Sequence, residues 1–265
     1  MTHASVLAAN PGFHAPGPVD FKLPDILGGD QILLTKSSLL LVLAAVIVFG
    51  VFFATSRKAA VVPGKLQYAG ESAYSWVRDS IGRDIIGEKD FIRYVPLLVS
   101  IFFFVLVNNL YELTPFLQFP SFSRASFAYG LTAIVWILYN GVGMVRHGPL
   151  RYLKNQTVPS GVPKAVLPLL IPLEFFSNIL VRPVTLSLRL FANMFAGHLL
   201  LLLFSSGADY LLLHATGLLV KPAGVVSFLM GIAVGFLEFI VGILQAYVFA
   251  LLTATYISGA LASEH

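Results

Sequence analysis

Ser37 to Ser56 is an uncharged run of 20 residues, and no other feature confines the fold as tightly. A helix of roughly 20 apolar residues spans the ~30 Å hydrocarbon core of a bilayer, where every backbone N–H and C=O has to be satisfied within the segment. Two more uncharged runs follow, Tyr94 to Tyr111 with 18 residues and Ala125 to Val145 with 21. The Pro-containing stretch TPFLQFPSFSR joins them, so they read as a helical hairpin. The composition agrees: 57% of the residues are hydrophobic and 11% charged, against about 25% charged in a soluble domain. Lipid is therefore the main solvent.

The remaining apolar material is overlong. From Ala165 to Ala208 only Glu174, Arg182 and Arg189 are fully charged, and from Pro222 to Ser263 only Glu238 is. Each stretch can make a helix of ~35 residues, about 50 Å long, which must tilt, curve or break to match the bilayer. Pro183 is the kink point of the first. Between the first span and the hairpin, Tyr74, Val77, Ile81 and Ile85 recur at helical spacing. Arg78, Asp79, Arg83 and Asp84 fall on other faces, which gives an amphipathic helix lying on the membrane surface; a solvated linker with chance periodicity is the alternative.

The expected fold class is thus an all-α polytopic membrane protein. It has one N-terminal span, an amphipathic surface helix, a helical hairpin and two long tilted helices carrying the polar residues. The divisions are a polar N-terminal tail over 1–30 and a single membrane domain over 31–262. Within the latter come the first span (31–56), the surface helix (64–91), the hairpin (92–146), the long arginine helix (165–205) and the long C-terminal helix (222–260). The tail has no basic start followed by an apolar run, unlike a cleaved targeting peptide.

Charge gives the orientation. Segment 56–93 holds seven lysines and arginines and 146–164 holds four, whereas the alternate connecting segments hold only Lys22, Lys36, Arg124 and Lys221. The positive-inside bias puts the N-terminus outside and the C-terminus inside. A net charge of +4 spread over such loops is no nucleic-acid signature. The absence of cysteine excludes disulfides and thiolate metal sites. The histidines outside the spans show no metal-ligand spacing, and no phosphate-binding or dinucleotide motif occurs.

The chemistry concentrates in TLSLRLFANMFAGH, Thr185 to His198. Glu174, Asn178, Arg182, Thr185, Arg189 and Asn193 step by three or four residues and share one helix face. Gly197 continues the stripe, with Ala196 beside it, leaving room for another helix to approach. His198 falls about 180° around the wheel from Arg189. On the last helix Glu238, Gly242, Gln245, Phe249, Leu252 and Tyr256 share a face. Antiparallel packing brings Glu238 toward His198 and Gln245 to the level of Arg189. A carboxyl and a histidine are suited to proton transfer. Arg189 does not give up its proton, so it is a fixed positive barrier, and the economical partner is a carboxylate on another subunit. The bland alternatives are snorkelling or internal pairing of Arg189 with Glu174 or Glu238, an ordinary interior role for His198, and simple helix bridging by Asn193 and Gln245.

RPVTLSLRLFANMFAGH (182–198) resembles the signature of subunit a of F-type ATP synthases, S-L-x-L-R-L-F-x-N-x-x-A-G, with Thr185 where some members carry serine. FLEFIVGILQAYVFALLTATYI resembles the family's last helix and LVNNLYELTPF its hairpin turn; the likeness covers about residues 30–262. The resemblance implies a non-catalytic subunit of the proton-transporting complex, without a cofactor, in a bacterial plasma membrane. Its partners are the c-ring, peripheral-stalk b-type subunits, the rest of the complex and membrane lipid. Two offset half-channels lead to carboxyls on the rotating ring. Arg189 matches the arginine that separates them. Asn193, His198, Glu238 and Gln245 match positions of the outer half-channel or ring-facing surface, with His198 and Glu238 exchanged relative to some bacterial members. Glu174, Ser177 and Tyr256 match inner half-channel positions, and Asn109 and Glu112 match the outer mouth. A self-contained secondary transporter or ion channel is the alternative; the lack of an internal repeat speaks against the transporter.

Overall fold

The computed structural model describes residues 16–17, 36–57, 60, 62–114, 121–157, 166–214, 217 and 220–262. The rest of the tail over 1–30, the middle of the hairpin turn and Lys22, Lys58 and Lys164 lie outside the described residues. Every regular element among the described residues is helical, and five helices are long and apolar enough to cross a membrane. The protein is an all-α polytopic membrane protein.

Helix α1 (Lys36–Ser56) buries only Ser37, Leu40 and Ala44, while Leu39, Val42, Val46 and Phe49 are exposed. A helix apolar on all sides and exposed on most of them suits hydrocarbon rather than water. Helix α2 (Lys65–Val77) runs into a wide π-helical stretch, Arg78–Ile86. Val77 and Ile81 are fully buried in the core, with Tyr74 and Ile85 packed beside them. Arg83 and Asp84 are exposed, so the period read from the sequence separates the two faces. On the polar face Arg78 donates to Asp79 across 2.9 Å and holds its carboxyl below the usual range.

Helices α3 (Phe91–Leu110) and α4 (Ala125–His147) form the hairpin arms, with one-turn 3₁₀ segments at Tyr111–Leu113 and Ser121–Ser123 between them. Short α5 (Pro149–Thr157) follows. Tyr152 folds back onto α4 at Gly143, where any side chain would overlap its ring.

The arginine-bearing stretch is one 48-residue rod, Leu167–His214. It comprises α6 (Leu167–Phe175), a π-helical turn (Phe176–Val181), α7 (Arg182–Asp209) and a second wide turn (Tyr210–His214). Helix α8 (Lys221–Leu261) has 41 residues. At 1.5 Å per residue the rods are about 70 and 60 Å long, twice the ~30 Å apolar thickness of a bilayer. Upright spans of that length would carry apolar side chains into water, so strong inclination is their low-energy arrangement.

Pro183 lies in the first turn of α7. Having no N–H, it leaves the carbonyl of Ile179 without its usual helical donor. The Trp136 indole of α4 donates to that carbonyl at 3.1 Å, so the break in the rod is satisfied from the hairpin. The irregularity lies in the turn before the proline, where the wider π winding shifts the phase of everything N-terminal to it.

The α7–α8 pair is antiparallel. Gly207 faces Ser227, Phe204 faces Gly231, Leu201 faces Gly235 and Gly197 faces Glu238. Ser227 donates to the Phe204 carbonyl at 2.9 Å. Small residues recur on α8 where α7 approaches, which allows close packing in lipid. Continued in the same register, Gln245 comes level with Leu190, beside Arg189.

Candidate functional site

Three features follow one another along α7. At its C-terminal half lies a buried polar cluster. Gly197 leaves space that the Glu238 carboxyl group occupies, and a side chain at 197 would overlap it. His198 points away from the Arg189 face toward α3, where its Nδ1 lies 3.6 Å from Glu112 Oε1. Their side chains are 11% and 2% exposed, so any electrostatic interaction between them is screened little by water. Glu112 and Glu238 also interact electrostatically. One turn back on α3, Asn109 donates to the Gly242 carbonyl at 2.9 Å, bridging α3 to α8. Glu112 and Asn109 therefore belong to the same cluster as His198 and Glu238.

Several polar atoms in this region are buried without a hydrogen-bond partner among the described residues: Asn109 Oδ1, Asn193 Nδ2, Glu238 Oε2 and Gln245 Nε2. Native interiors rarely leave such atoms unsatisfied unless water or a mobile proton serves them. From Glu112 and His198 a cavity of about 330 Å³ extends between α7 and α8 past Leu201 and Ser205 to Phe228 and Ile232. It is roomy enough for water, and its ionisable members, Glu112 and His198, lie at one end.

Arg189 itself is exposed. It lies on a continuous outward stripe of α7 with Thr185, Leu188, Ala192, Ala196, Leu200 and Leu203, all exposed as well. Among the described residues no carboxylate pairs with it. Neither Glu174 nor Glu238 of this chain neutralises it. A bare guanidinium on a largely apolar face is costly in lipid unless an acidic group pairs with it.

The third feature lies about 10 Å below Arg189 along the axis. Arg182 stands over the Tyr256 ring at 5.6 Å, and Tyr256 tilts against Tyr139 with ring centres 5.4 Å apart. Asn178 donates to Glu174 at 3.0 Å and to the Gln156 carbonyl at 2.7 Å. Gln156 donates to the Tyr152 hydroxyl at 3.2 Å, which donates to Asn140 Oδ1 at 3.1 Å. Arg182, Asn178, Tyr152, Gln156 and His147 line a cavity of about 260 Å³ here. Burial pushes the Tyr152 phenol above its ordinary range, so it stays a neutral hydrogen-bonding group. Ser177 lies on the adjoining wide turn but does not line that cavity.

The structure thus brings His198, Glu238, Glu112 and Asn109 together at one end and Glu174 and Tyr256 toward the other, with Arg189 exposed between. Asn140, Tyr152 and Gln156 are absent from the sequence expectations. Their one signal is Asn140, the sole amide in the run Ala125–Val145. His198 faces opposite to Arg189, in agreement with its position on the helical wheel. Gly197, read as a point where another helix can approach closely, is approached by the chain's own α8. Among the described residues no three His, Cys, Asp or Glu side chains gather in a form that holds a metal.

Comparison with known proteins bears on what this arrangement serves. The family described as "ATP synthase A chain" matches residues 38–258. A protein named ATP synthase subunit a from a Nocardioides species is 53% identical over 268 residues, covering 97% of this chain and 96% of that protein. Proteins of the same name from Streptomyces lividans and Rhodococcus erythropolis are 43% and 40% identical, each covering 96% of this chain and 90% and 92% of their own lengths. The family match runs through all five spanning helices. This chain belongs to the ATP synthase A chain family.

Proposed function

We propose that the protein is the proton-translocating stator subunit of the membrane sector of a rotary ATP synthase, itself without catalytic chemistry. It stands beside a c-ring whose subunits each carry one carboxyl. The observation that carries this reading is Arg189: exposed, without a carboxylate partner among the described residues, and flanked along α7 by a buried polar cluster on one side and a half-buried one on the other.

Protons enter at the cluster of Glu112, His198, Asn109, Asn193, Glu238 and Gln245. The cavity at Glu112 and His198 admits water, and Glu238, poised against Gly197, relays a proton toward the ring. A neutralised ring carboxyl turns into lipid at little electrostatic cost, whereas an ionised one does not. After nearly a full turn it meets the second half-channel, formed by Glu174, Ser177, Tyr256 and the Asn178–Gln156–Tyr152–Asn140 chain, and is deprotonated there. Arg189 attracts the resulting carboxylate. Because a guanidinium does not deprotonate, it also blocks passage from one cluster to the other. The two clusters lie at different levels along α7, which supports a pair of offset half-channels.

The basic segments 56–93 and 146–164 support an orientation with the N-terminus outside and the C-terminus in the cytoplasm of a bacterial cell. Residues 31–262 act as one membrane domain over which peripheral-stalk b-type subunits pack. The test is transport by the chain alone. In liposomes under an imposed potential the purified chain passes no protons, whereas the assembled membrane sector does. Proton flux through the isolated chain would mean a self-contained channel and would overturn the stator reading.

A further inference from the structure

A separate cavity of about 700 Å³ lies where α3 begins and α4 ends, remote from the His198 cluster. Arg93, in the first turn of α3, and Arg146, in the last turn of α4, stand at its rim with Asp90. Arg146 pairs with Asp90 at 3.6 Å. Arg93 is exposed and makes no ion pair among the described residues. Two cations against one anion leave the rim positive. Below it the walls are apolar, built from Leu97 of α3, Leu138 and Val142 of α4 and Ile257 of α8. The trough passes Gly141, where an added Cβ meets nothing within 4 Å.

We propose that this is a binding site for one anionic phospholipid, with its phosphate between Arg93 and Arg146 and an acyl chain in the trough beside Gly141. A partner helix would offer the trough apolar contacts but leave a guanidinium beside it unpaired, which is costly away from water. An anionic phospholipid supplies both the charge and the apolar tail, and basic pockets between spanning helices suit such headgroups. Asp90 holds Arg146 at the rim and tempers the charge, so headgroup preference is moderate rather than absolute. A lipid seated there would brace the junction of α3, α4 and the last turn of α8.

Native mass spectrometry of the delipidated full-length chain tests this, with phosphatidylglycerol and phosphatidylcholine of identical acyl chains added separately. Phosphatidylglycerol is expected to bind more tightly by about fivefold, the discrimination of roughly one basic residue near a membrane surface. Arg93→Gln should erase that preference, and Asp90→Asn should raise it. Gly141→Phe, which places a ring in the trough from a position where an added Cβ meets nothing within 4 Å, should weaken binding of both lipids while the lipid-free chain keeps its helical content. Equal retention of the two lipids by the wild type, unchanged retention in Gly141→Phe, or a co-purified polypeptide in place of lipid would each overturn the proposal.

Discussion

The Glu238 carboxyl group occupies the space that a side chain at position 197 would need. Glycine at 197 is therefore a condition for seating an ionisable group between α7 and α8, about one turn beyond Asn193. A methyl group there overlaps the carboxyl, and the helices or the acid must move. Gly197→Ala favours helix formation by about 1 kcal/mol, yet proton pumping in inverted vesicles is expected to fall by at least about tenfold, some 1.4 kcal/mol of barrier. Combining it with Glu238→Asp, which draws the carboxyl back, should recover part of the loss. If Gly197→Ala pumps normally, the close fit has no functional role.

The Glu112–His198 pair predicts an asymmetry between its partners. Both side chains are almost fully buried, so removing the histidine strands a carboxyl, at a cost of about 1–3 kcal/mol. Replacing both groups by uncharged residues relieves that penalty. Thermal unfolding should rank wild type above Glu112→Gln/His198→Gln, and the double variant above His198→Ala. Equal stability of all three would show that the pair is not coupled.

Trp136 and Pro183 give a double-mutant prediction. Trp136→Phe removes the donor to the Ile179 carbonyl and should cost about 1–3 kcal/mol of stability. Pro183→Ala restores a backbone N–H to the helix, so Trp136→Phe should cost clearly less in that background. Strictly additive effects on the unfolding midpoint would contradict the shared carbonyl.

Tyr152 sets an alkaline limit. Burial raises its phenol, so the unfolded chain releases that proton at a lower pH than the folded one. The contribution is fully present below the ordinary tyrosine value of about 10 and is lost as pH rises above it. Stability at neutral pH is untouched by this titration. Alkaline unfolding should therefore begin at higher pH in Tyr152→Phe than in wild type. An unchanged alkaline limb would show that another group governs it.

Much of the fold was legible because lipid imposes a coarse code: uncharged runs of the right length are helices, and turns lie between them. Given antiparallel packing, the level of Glu238 against the Gly197–His198 end of α7 also followed from spacing, and Gly197 is where the two helices meet. What spacing did not convey was the pairing of His198 with Glu112. Those residues are 86 positions apart, and only the way the hairpin packs against α7 joins them. The stripe from Glu174 to Asn193 was read with a constant helical pitch. The π turn at Phe176–Val181 breaks that pitch, so Asn178 bonds to Glu174 and to the Gln156 carbonyl of α5 while Arg189 faces outward. Tyr152 and Gln156 went unseen because they lie in a short polar helix that folds back at Gly143, a contact that no local periodicity encodes.

The central claim is that Arg189 is the fixed charge at which a partner's carboxylate arrives. Its most direct measurement is ATP-driven acidification of inverted vesicles carrying Arg189→Ala, with quantified assembly of the ring and catalytic head. The account predicts a fully assembled complex that does not pump and leaks protons under an imposed potential. Normal coupled pumping by that variant would contradict it.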